Sequence, residues 1–262
     1  SPFEELRVAT RQRTDGTAMT QIVPLNKETH RALKVDARPR AAYGDNRRFV
    51  PVIVKEFAQL VVHYPILFAK NADTGQFYCG AMLGIDEGEN VFLDDWAQRG
   101  FYRPLNLQRG PFYSQGPDIA IDLDDPRIGA EGGKPLFTEQ GLPTRYLQSI
   151  IWAFQDLNPG VEMTKLFIDR LSELKLIEPV DVEVEFDDGT MRRCVGLYTI
   201  DQEVFSRLPD AVVVELFRRG YLRLIDYMIA SLKQVPVLAR KKNSRLLGAT
   251  EGLAGVRAAA TG

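Results

Sequence analysis

The sequence predicts an α+β fold, an antiparallel sheet or meander packed with several amphipathic helices in a single domain. Three observations lead there. Residues 49–95 run from a stretch with helical apolar spacing into short apolar runs separated by turn formers, which reads as a helix followed by an antiparallel meander. Residues 118–124 and 180–186 alternate apolar and polar side chains with the period of a half-buried strand. Apolar residues at helical spacing recur between Tyr146 and Leu174 and between Val212 and Leu232, and the chain has no internal repeat or heptad array.

Residues 1–21 are polar and are set aside as a flexible leader or added residues, with Met19 a candidate native start. Ile22-Val23-Pro24-Leu25 reads as a short extended piece, and residues 26–35 as a helical turn or a second extended piece. Residues 36–46, with Pro39 and Gly44 among charges, form a loop. Val50, Ile53, Val54, Phe57, Leu60, Val61 and Tyr64 then fall at i, i+3, i+4, i+7 spacing. With Pro51 in the first turn and Pro65 barring continuation, this predicts a helix of about four turns ending near His63. Apolar runs at 66–69 and 77–83 flank Asn71-Ala72-Asp73-Thr74-Gly75 and make a hairpin, after which a turn at 86–90 leads into a third strand beginning Val91-Phe92-Leu93.

Residues 96–113 are aromatic, arginine-bearing and aperiodic, so they are expected as turns packed by rings rather than regular elements. Ile119, Ile121 and Leu123 opposite Asp118, Asp122 and Asp124 predict a half-buried strand, followed by a glycine-rich loop over 125–140 that carries Leu136-Phe137. Tyr146, Leu147, Ile150, Ile151 and Phe154 predict a helix broken at Asn158-Pro159-Gly160. Met163, Leu166, Phe167, Leu171 and Leu174 predict another, stopped at Glu178-Pro179, so that the two form a helical hairpin. Val180, Val182, Val184 and Phe186 alternate with acids, and Asp187-Asp188-Gly189 turns that strand into 191–200. Asp201 caps a following helix, Pro209-Asp210 reopen it with Val212, Val213, Leu216 and Phe217 inward, and Gly220 ends it. A last helix from Leu222 to Leu232 stops before Pro236. The domain spans 22–241, Arg240-Lys241-Lys242 opens a solvated end, and 242–262 is a flexible tail.

Composition narrows the classes. The 262 residues allow either one large domain or two small ones and are ample for a packed core. Against 35 acidic residues, 33 basic ones leave a net charge of −2, which gives no global field for tracking phosphates and no reason to expect nucleic acid as partner. Cys79 and Cys194 are too few for a disulfide scaffold, and no apolar run approaches the roughly 18 to 20 residues that span a bilayer, so a cytoplasmic, water-soluble protein is expected.

No reaction signature stands out. The only histidines, His30 and His63, lack H-x-D or H-E-x-x-H spacing, so a surface His30 and a helix-end His63 are preferred to an iron site. The two cysteines lack the C-x-x-C partners of a zinc site. Asp118, Asp122, Asp124 and Asp125 suggest a Ca²⁺ or Mg²⁺ site without EF-hand spacing, and a solvated strand face ranks ahead of it. Residues 129–135 have the wrong glycine spacing for a phosphate loop, with Pro135 where Ser or Thr must follow the lysine. G-x-G-x-x-G and G-x-S-x-G are absent, and no cofactor or metal is expected.

What remains is a set of rings and arginines: Tyr64, Trp96, Phe101, Tyr102, Arg103, Arg109, Phe112 and Tyr113, with Glu56 in a mostly apolar segment. Guanidinium groups beside aromatic faces suit an anionic or planar ligand or a protein partner. The structural reading, a satellite core with arginines bonding turn carbonyls, ranks first. Glu56 is either a carboxyl raised by burial and able to act as a base, or the ion-pair partner of one of these arginines.

Several short motifs occur in order: Val23-Pro24-Leu25 with His30; Val50-Pro51 followed by Glu56; Tyr64-Pro65-Ile66; and Leu83-Gly84. Further on come Gly88-Glu89-Asn90 with Phe92, Tyr102-Arg103-Pro104, Arg109-Gly110-Pro111-Phe112, Pro135-Leu136-Phe137 and residues 196–201. On these the chain resembles the bacterial SapC family from about Ile22 to Lys241. The resemblance implies an association with a surface-layer protein system, or a setting near TonB-dependent receptors, flavin-dependent halogenases and cupin-like oxygenases. It implies no reaction and no catalytic residues. Two function classes therefore stand: a non-catalytic accessory or binding protein that recognises a ligand or partner through the aromatic–arginine surface, and an enzyme built on Glu56, Tyr64 and Arg109. The first is preferred.

Overall fold

The computed structural model describes residues 21–97, 101–187 and 189–245. The leader expected over 1–21 therefore lies almost wholly outside the described residues, as does the tail beyond residue 245. The chain forms an α+β domain whose strands are all antiparallel. Its main sheet has five strands in the order β3 (Phe49–Pro51), β5 (Phe77–Met82), β4 (Ile66–Lys70), β10 (Met191–Ile200) and β9 (Ile177–Glu185). A three-stranded sheet orders β1 (Ile22–Pro24), β7 (Asp118–Asp122) and β6 (Phe112–Gln115), and β2 (Lys34–Val35) pairs with β8 (Lys134–Pro135). The hairpins expected at 66–83 and 180–200 form, the second opening three residues earlier at Ile177, and the strand expected over 118–124 spans Asp118–Asp122.

The segment expected as a four-turn helix differs. Residues 49–51 are an edge strand paired with Met82, Ala81 and Gly80, Val54–Glu56 is a 3-10 turn, and the helix α1 is only Phe57–Leu60. Val50, Val52, Ile53 and Val54 are all buried, so the run is apolar on both sides rather than on one helical face. Proline is tolerated on an edge strand because no ladder hydrogen bond is lost there.

Residues 91–93 form turns instead of a third strand. The Phe92 N–H is taken by the Asn90 side chain at 2.9 Å, and the neighbouring Val91 N–H reaches Leu83 O at 2.9 Å without extending into a ladder. Within 96–113, expected as turns, residues 105–108 form a short helix α2 and Phe112 opens β6.

The helical hairpin is absent. Arg145–Glu173 is one 29-residue helix, α3, about 43 Å long, with Pro159 inside it. The Pro159 ring lies on the exposed side, where the lost N–H costs least. Gly160 faces inward, and a Cβ there would stand 2.3 Å from Ile53 Cδ1, so the glycine lets the helix lie close against the Val52–Val54 segment. Glu178 and Pro179, expected to stop a helix, belong to the outer strand β9.

After α4 (Gln202–Ser206), capped by the Asp201 side chain on Val204 N–H at 2.8 Å, come α5 (Asp210–Arg218) and α6 (Tyr221–Ser231). A further helix, α7, covers 235–245, where a stop and a solvated end were expected. Pro236 sits in its first turn and breaks nothing. Leu238 is fully buried, and the Lys242 ammonium bonds the Asp86 and Glu89 carboxylates while Lys241 Nζ donates to Asp95 Oδ2 at 2.6 Å.

Two hydrophobic clusters result. The larger joins the main sheet to α1, α6, α7 and the C-terminal half of α3. The smaller joins the three-stranded sheet to the N-terminal half of α3 through Phe112, Ile121, Leu147, Phe154 and Leu157. Ile53 belongs to the smaller cluster and its neighbours Val52 and Val54 to the larger, so the 52–56 segment is the seam of the domain. Thr164 Oγ1, buried on α3, accepts the Val54 N–H at 3.0 Å and donates to Gly160 O at 2.6 Å.

Candidate functional site

Four of the sequence-derived candidates meet at this seam. Glu56 is buried, and its Oε2 accepts the Ile53 N–H at 3.0 Å. Its Oε1 accepts the Leu105 N–H at 2.7 Å and the Tyr102 hydroxyl at 3.1 Å. Burial pushes the Glu56 pKa up to about 7 in spite of these donors, each of which favours the charged form. The Tyr64 hydroxyl donates to Tyr102 O at 2.6 Å and accepts from Trp96 Nε1 at 2.8 Å, and its ring meets Phe92 edge-on at 4.7 Å. Burial pushes both tyrosine pKa values upward. Glu56, Tyr102, Tyr64 and Trp96 thus form one hydrogen-bonded chain that ties residues 96–105 to the seam.

Arg103 extends the chain to a second centre. Its guanidinium lies 5.7 Å from the Trp96 ring, with Nη1 donating to Ala37 O at 3.2 Å and Nη2 to Asp45 Oδ1 at 3.0 Å. Arg127 donates to the same Asp45 oxygen at 3.1 Å, to Tyr43 O at 2.8 Å and to Asp125 Oδ2 at 2.9 Å. Nearby, Asp36 accepts from Arg38 Nε at 2.7 Å and from the Tyr43 hydroxyl at 2.9 Å; these bonds, Arg38 foremost, hold its pKa far below the carboxylate range. Asp36, Tyr43, Asp45 and Arg127 were not singled out in the sequence, since Asp45 reaches its arginines across 58 and 82 residues. The one available signal was the alternation of acids with Arg38, Arg40, Arg47 and Arg48 over 36–48.

The hydrogen-bonded chain described above does not run through the remaining candidates, Phe101, Arg109, Phe112 and Tyr113. Arg109 donates from Nε to Asn106 Oδ1 at 2.9 Å and from Nη1 to Phe112 O at 2.8 Å, and its guanidinium lies over Tyr113 at 4.8 Å. Phe112 is fully buried in the smaller core. His30 Nδ1 accepts the Asn26 N–H at 3.0 Å in a local turn, while half-buried His63 lies against Phe101 at 5.0 Å and burial lowers its pKa. Among the described residues, no three His, Cys, Asp or Glu side chains are grouped to hold a metal ion. The carboxylates of the 118–125 stretch are engaged separately: Asp122 with Asp124 N–H, Asp124 with Gln21 N–H, and Asp125 with Arg127.

A concavity lies elsewhere, on the main sheet. It is a groove of about 490 Å³ lined by Phe49, Ala69, Tyr78, Met82, Val195 and Leu197, among others, with Arg47, Arg48 and Glu87 also on its walls. Local sequence shapes it. Gly80 has no side chain, and the Phe49 ring occupies the space, for a Cβ there would stand 2.1 Å from Phe49 Cε1. In β10 the pairing register shifts between Cys194 and Leu197, and Gly196 adopts φ +78, which leaves Val195 63% exposed. The Cys194 thiol donates to Ile85 O at 3.5 Å, and burial raises its pKa. Arg48 pairs with Glu87 at 2.6 Å. A smaller polar cleft of about 110 Å³, lined by Arg47, Arg109, Arg127, Asp45, Asp125 and Tyr113 among others, shares Gly44 and Arg47 with the groove. Of the ring and arginine candidates, Arg109 and Tyr113 line the polar cleft and none lines the groove.

Fold and cavities together define an antiparallel α+β domain with a groove of ligand size across one sheet and a buried polar cluster behind one of its walls. The chain belongs to the SapC family, whose model matches residues 25–238. No curated protein and no solved structure matches it. Among the described residues no helix is long and apolar enough to cross a membrane.

Proposed function

We propose that this chain is a non-catalytic binding component that serves another protein's activity, in the surface-layer, export, TonB-dependent uptake or oxidative-enzyme settings that the family resemblance implies. Its recognition surface is the groove on the main sheet. The observation that carries this reading is the groove itself, a preformed concavity of about 490 Å³ with an aromatic and aliphatic lining and two arginines, within the size range of small-molecule sites. The ring and arginine residues singled out in the sequence then serve as scaffold. Glu56, Tyr64, Tyr102 and Trp96 spend their polar atoms on one another and on backbone groups. The enzyme reading, with Glu56 as base beside Tyr64 and Arg109, draws support from the raised Glu56 pKa, but both Glu56 oxygens are occupied inside the core, so it ranks second.

The test is native mass spectrometry of the protein purified gently from its own host, alongside Val195→Trp, which fills the groove from an exposed position. A stoichiometric small molecule or polypeptide carried by the wild type and lost from the variant, at equal melting temperature, supports the reading. Retention of the same companion by Val195→Trp moves recognition away from the groove and overturns it.

A further inference from the structure

Another cleft, of about 420 Å³, lies where the main sheet gives way to α3. Residues 75–78, which lead into β5, form one wall, and Val161, Lys165, Ile168 and Asp169 of α3 are on the other. The sheet is one strand short at this point. β3 ends at Pro51, the Val52 N–H still reaches Cys79 O at 3.0 Å, and the Val54 N–H then turns to Thr164 Oγ1 on α3. Continued in the register that sets Pro51 against Gly80, the strand would have brought Val54 opposite Phe77. Phe77 faces the gap that this leaves. On the β4 side the Asn71 N–H bonds Gln76 O at 2.9 Å and the Met82 N–H bonds Pro65 O at 3.0 Å, so the even-numbered residues from Gln76 to Met82 turn their backbone groups to β4. The alternation directs the N–H and C=O of Phe77 the other way, and among the described residues no strand pairs with them there.

We infer that this cleft is a second recognition site, taking an extended peptide segment of a partner protein that adds as a strand beside Phe77, where β3 stops. One residue of the peptide gives its N–H to Phe77 O and takes the Phe77 N–H on its carbonyl, as in any hydrogen-bonded antiparallel pair, and the side chains on either side of it read the walls. The wall from Gly75 to Tyr78 is about 10 Å long, the run of three or four extended residues. Charge narrows the class. Lys165 and Asp169, the charged residues that line the cleft, are paired at 2.7 Å, so the walls carry no net charge and match a segment with uncharged side chains. Phe77, Val161 and Ile168 give those side chains apolar surface. Tyr78 is the one lining residue that cleft and groove share, so the two sites lie to either side of one ring and are occupied separately.

Affinity selection on the whole protein from a library of terminally blocked pentapeptides of uncharged residues tests this, with the best binder then N-methylated at its odd or at its even positions. Because an added strand turns alternate residues to its partner, one methylated set should lose about tenfold in affinity, roughly the worth of a main-chain hydrogen bond, while the other binds as before. Hydrogen exchange of the Phe77 amide, followed by NMR, should slow when the peptide binds. Lys165→Trp, which fills the cleft from an exposed position, should weaken the peptide by about tenfold or more at unchanged melting temperature, and Val195→Trp should leave it unchanged. No binder in the library, an equal response to the two methylated sets, or a Phe77 amide whose exchange the peptide does not slow overturns the assignment, and these readings need no variant. A peptide kept by Lys165→Trp and lost from Val195→Trp belongs to the groove, which overturns the cleft and supports the groove as recognition surface.

Discussion

A carboxyl raised by burial leaves a signature in the pH dependence of stability, and Glu56 offers a sharp case. In the folded chain it keeps its proton up to about pH 7, whereas in the unfolded chain it ionises near its ordinary value of 4.5. Between these values the unfolded state holds fewer protons than the folded state, so rising pH favours unfolding. The contribution is absent below about 4.5, grows through the window and levels off above about 7. The interval amounts to about 3 kcal/mol at 1.36 kcal/mol for each tenfold change in proton affinity. Glu56→Gln removes the titration while keeping the shape. The amide has one acceptor oxygen where the carboxyl offers one to Ile53 N–H and one to Leu105 N–H, so the variant carries an added cost of roughly 1–3 kcal/mol that does not vary with pH. Urea unfolding of both proteins from about pH 4.5 to about pH 8 isolates the effect, because every other titrating group cancels in the comparison. Relative to Glu56→Gln, the wild type should lose about 3 kcal/mol across the window. Parallel curves would refute the claim that desolvation outweighs the three donors at this carboxyl.

Three further substitutions probe the same framework, each read by chemical or thermal unfolding. Thr164→Val keeps the side-chain shape but leaves the buried Val54 N–H without its acceptor, and should cost about 1–3 kcal/mol; a neutral result would mean that the α3 contact with the seam is dispensable. Asp45→Ala takes the carboxylate from Arg103 and leaves Arg127 with Asp125 alone, the two side chains being only 15% and 9% exposed, and should cost about 3–5 kcal/mol, far more than removing a surface ion pair. Gly84→Ala would put a Cβ 2.4 Å from the backbone oxygen of Glu89, an atom that cannot swing aside, and should destabilise by about 1–3 kcal/mol, with a variant as stable as wild type refuting the close approach.

Where local chemistry decides conformation, the sequence could be read. The hairpin at 66–82 follows from its Asn71 turn, whose side chain caps the Asp73 and Thr74 N–H groups, and Asp201 caps α4 as its position implies. The errors come where tertiary packing overrides a local signal. The spacing from Val50 to Tyr64 satisfies a helical template, yet Val52, which that template leaves off the apolar face, is as buried as the rest. Asn158-Pro159-Gly160 is a strong breaker locally, but α3 buries side chains against both cores on either side of it, and Gly160 is required by the approach of Ile53. Lys242 reads as a solvated lysine until the chain brings Asp86 and Glu89 to it from more than 150 residues away. The site was half legible for the same reason. Glu56, Tyr64, Trp96 and Tyr102 do assemble, but the groove needs residues of the 44–49, 69–88 and 194–197 stretches together, and no local pattern links them.

The polar cluster and the groove are mechanically one unit, because they share the loop from Tyr43 to Arg48. Asp45 anchors that loop from several directions: its carboxylate takes Arg40 N–H at 2.9 Å as well as Arg103 and Arg127, and its carbonyl takes Asn90 Nδ2 at 2.8 Å. One residue on, Asn46 donates to Gly88 O at 3.1 Å. The next two residues are Arg47 and Arg48, on the groove wall. Arg103, singled out in the sequence as a candidate ligand contact, is absent from the groove lining and is linked to this loop through Asp45. The same holds one step further back for Trp96 and Tyr64, which hold the segment that carries Arg103. A cluster of rings and arginines in a sequence marks the rigid support of a binding surface as readily as the surface itself. If the groove is the recognition surface proposed above, the closed hydrogen bonds of Glu56, Tyr64 and Trp96, set against the open lining at Phe49, Tyr78 and Val195, make those residues its support.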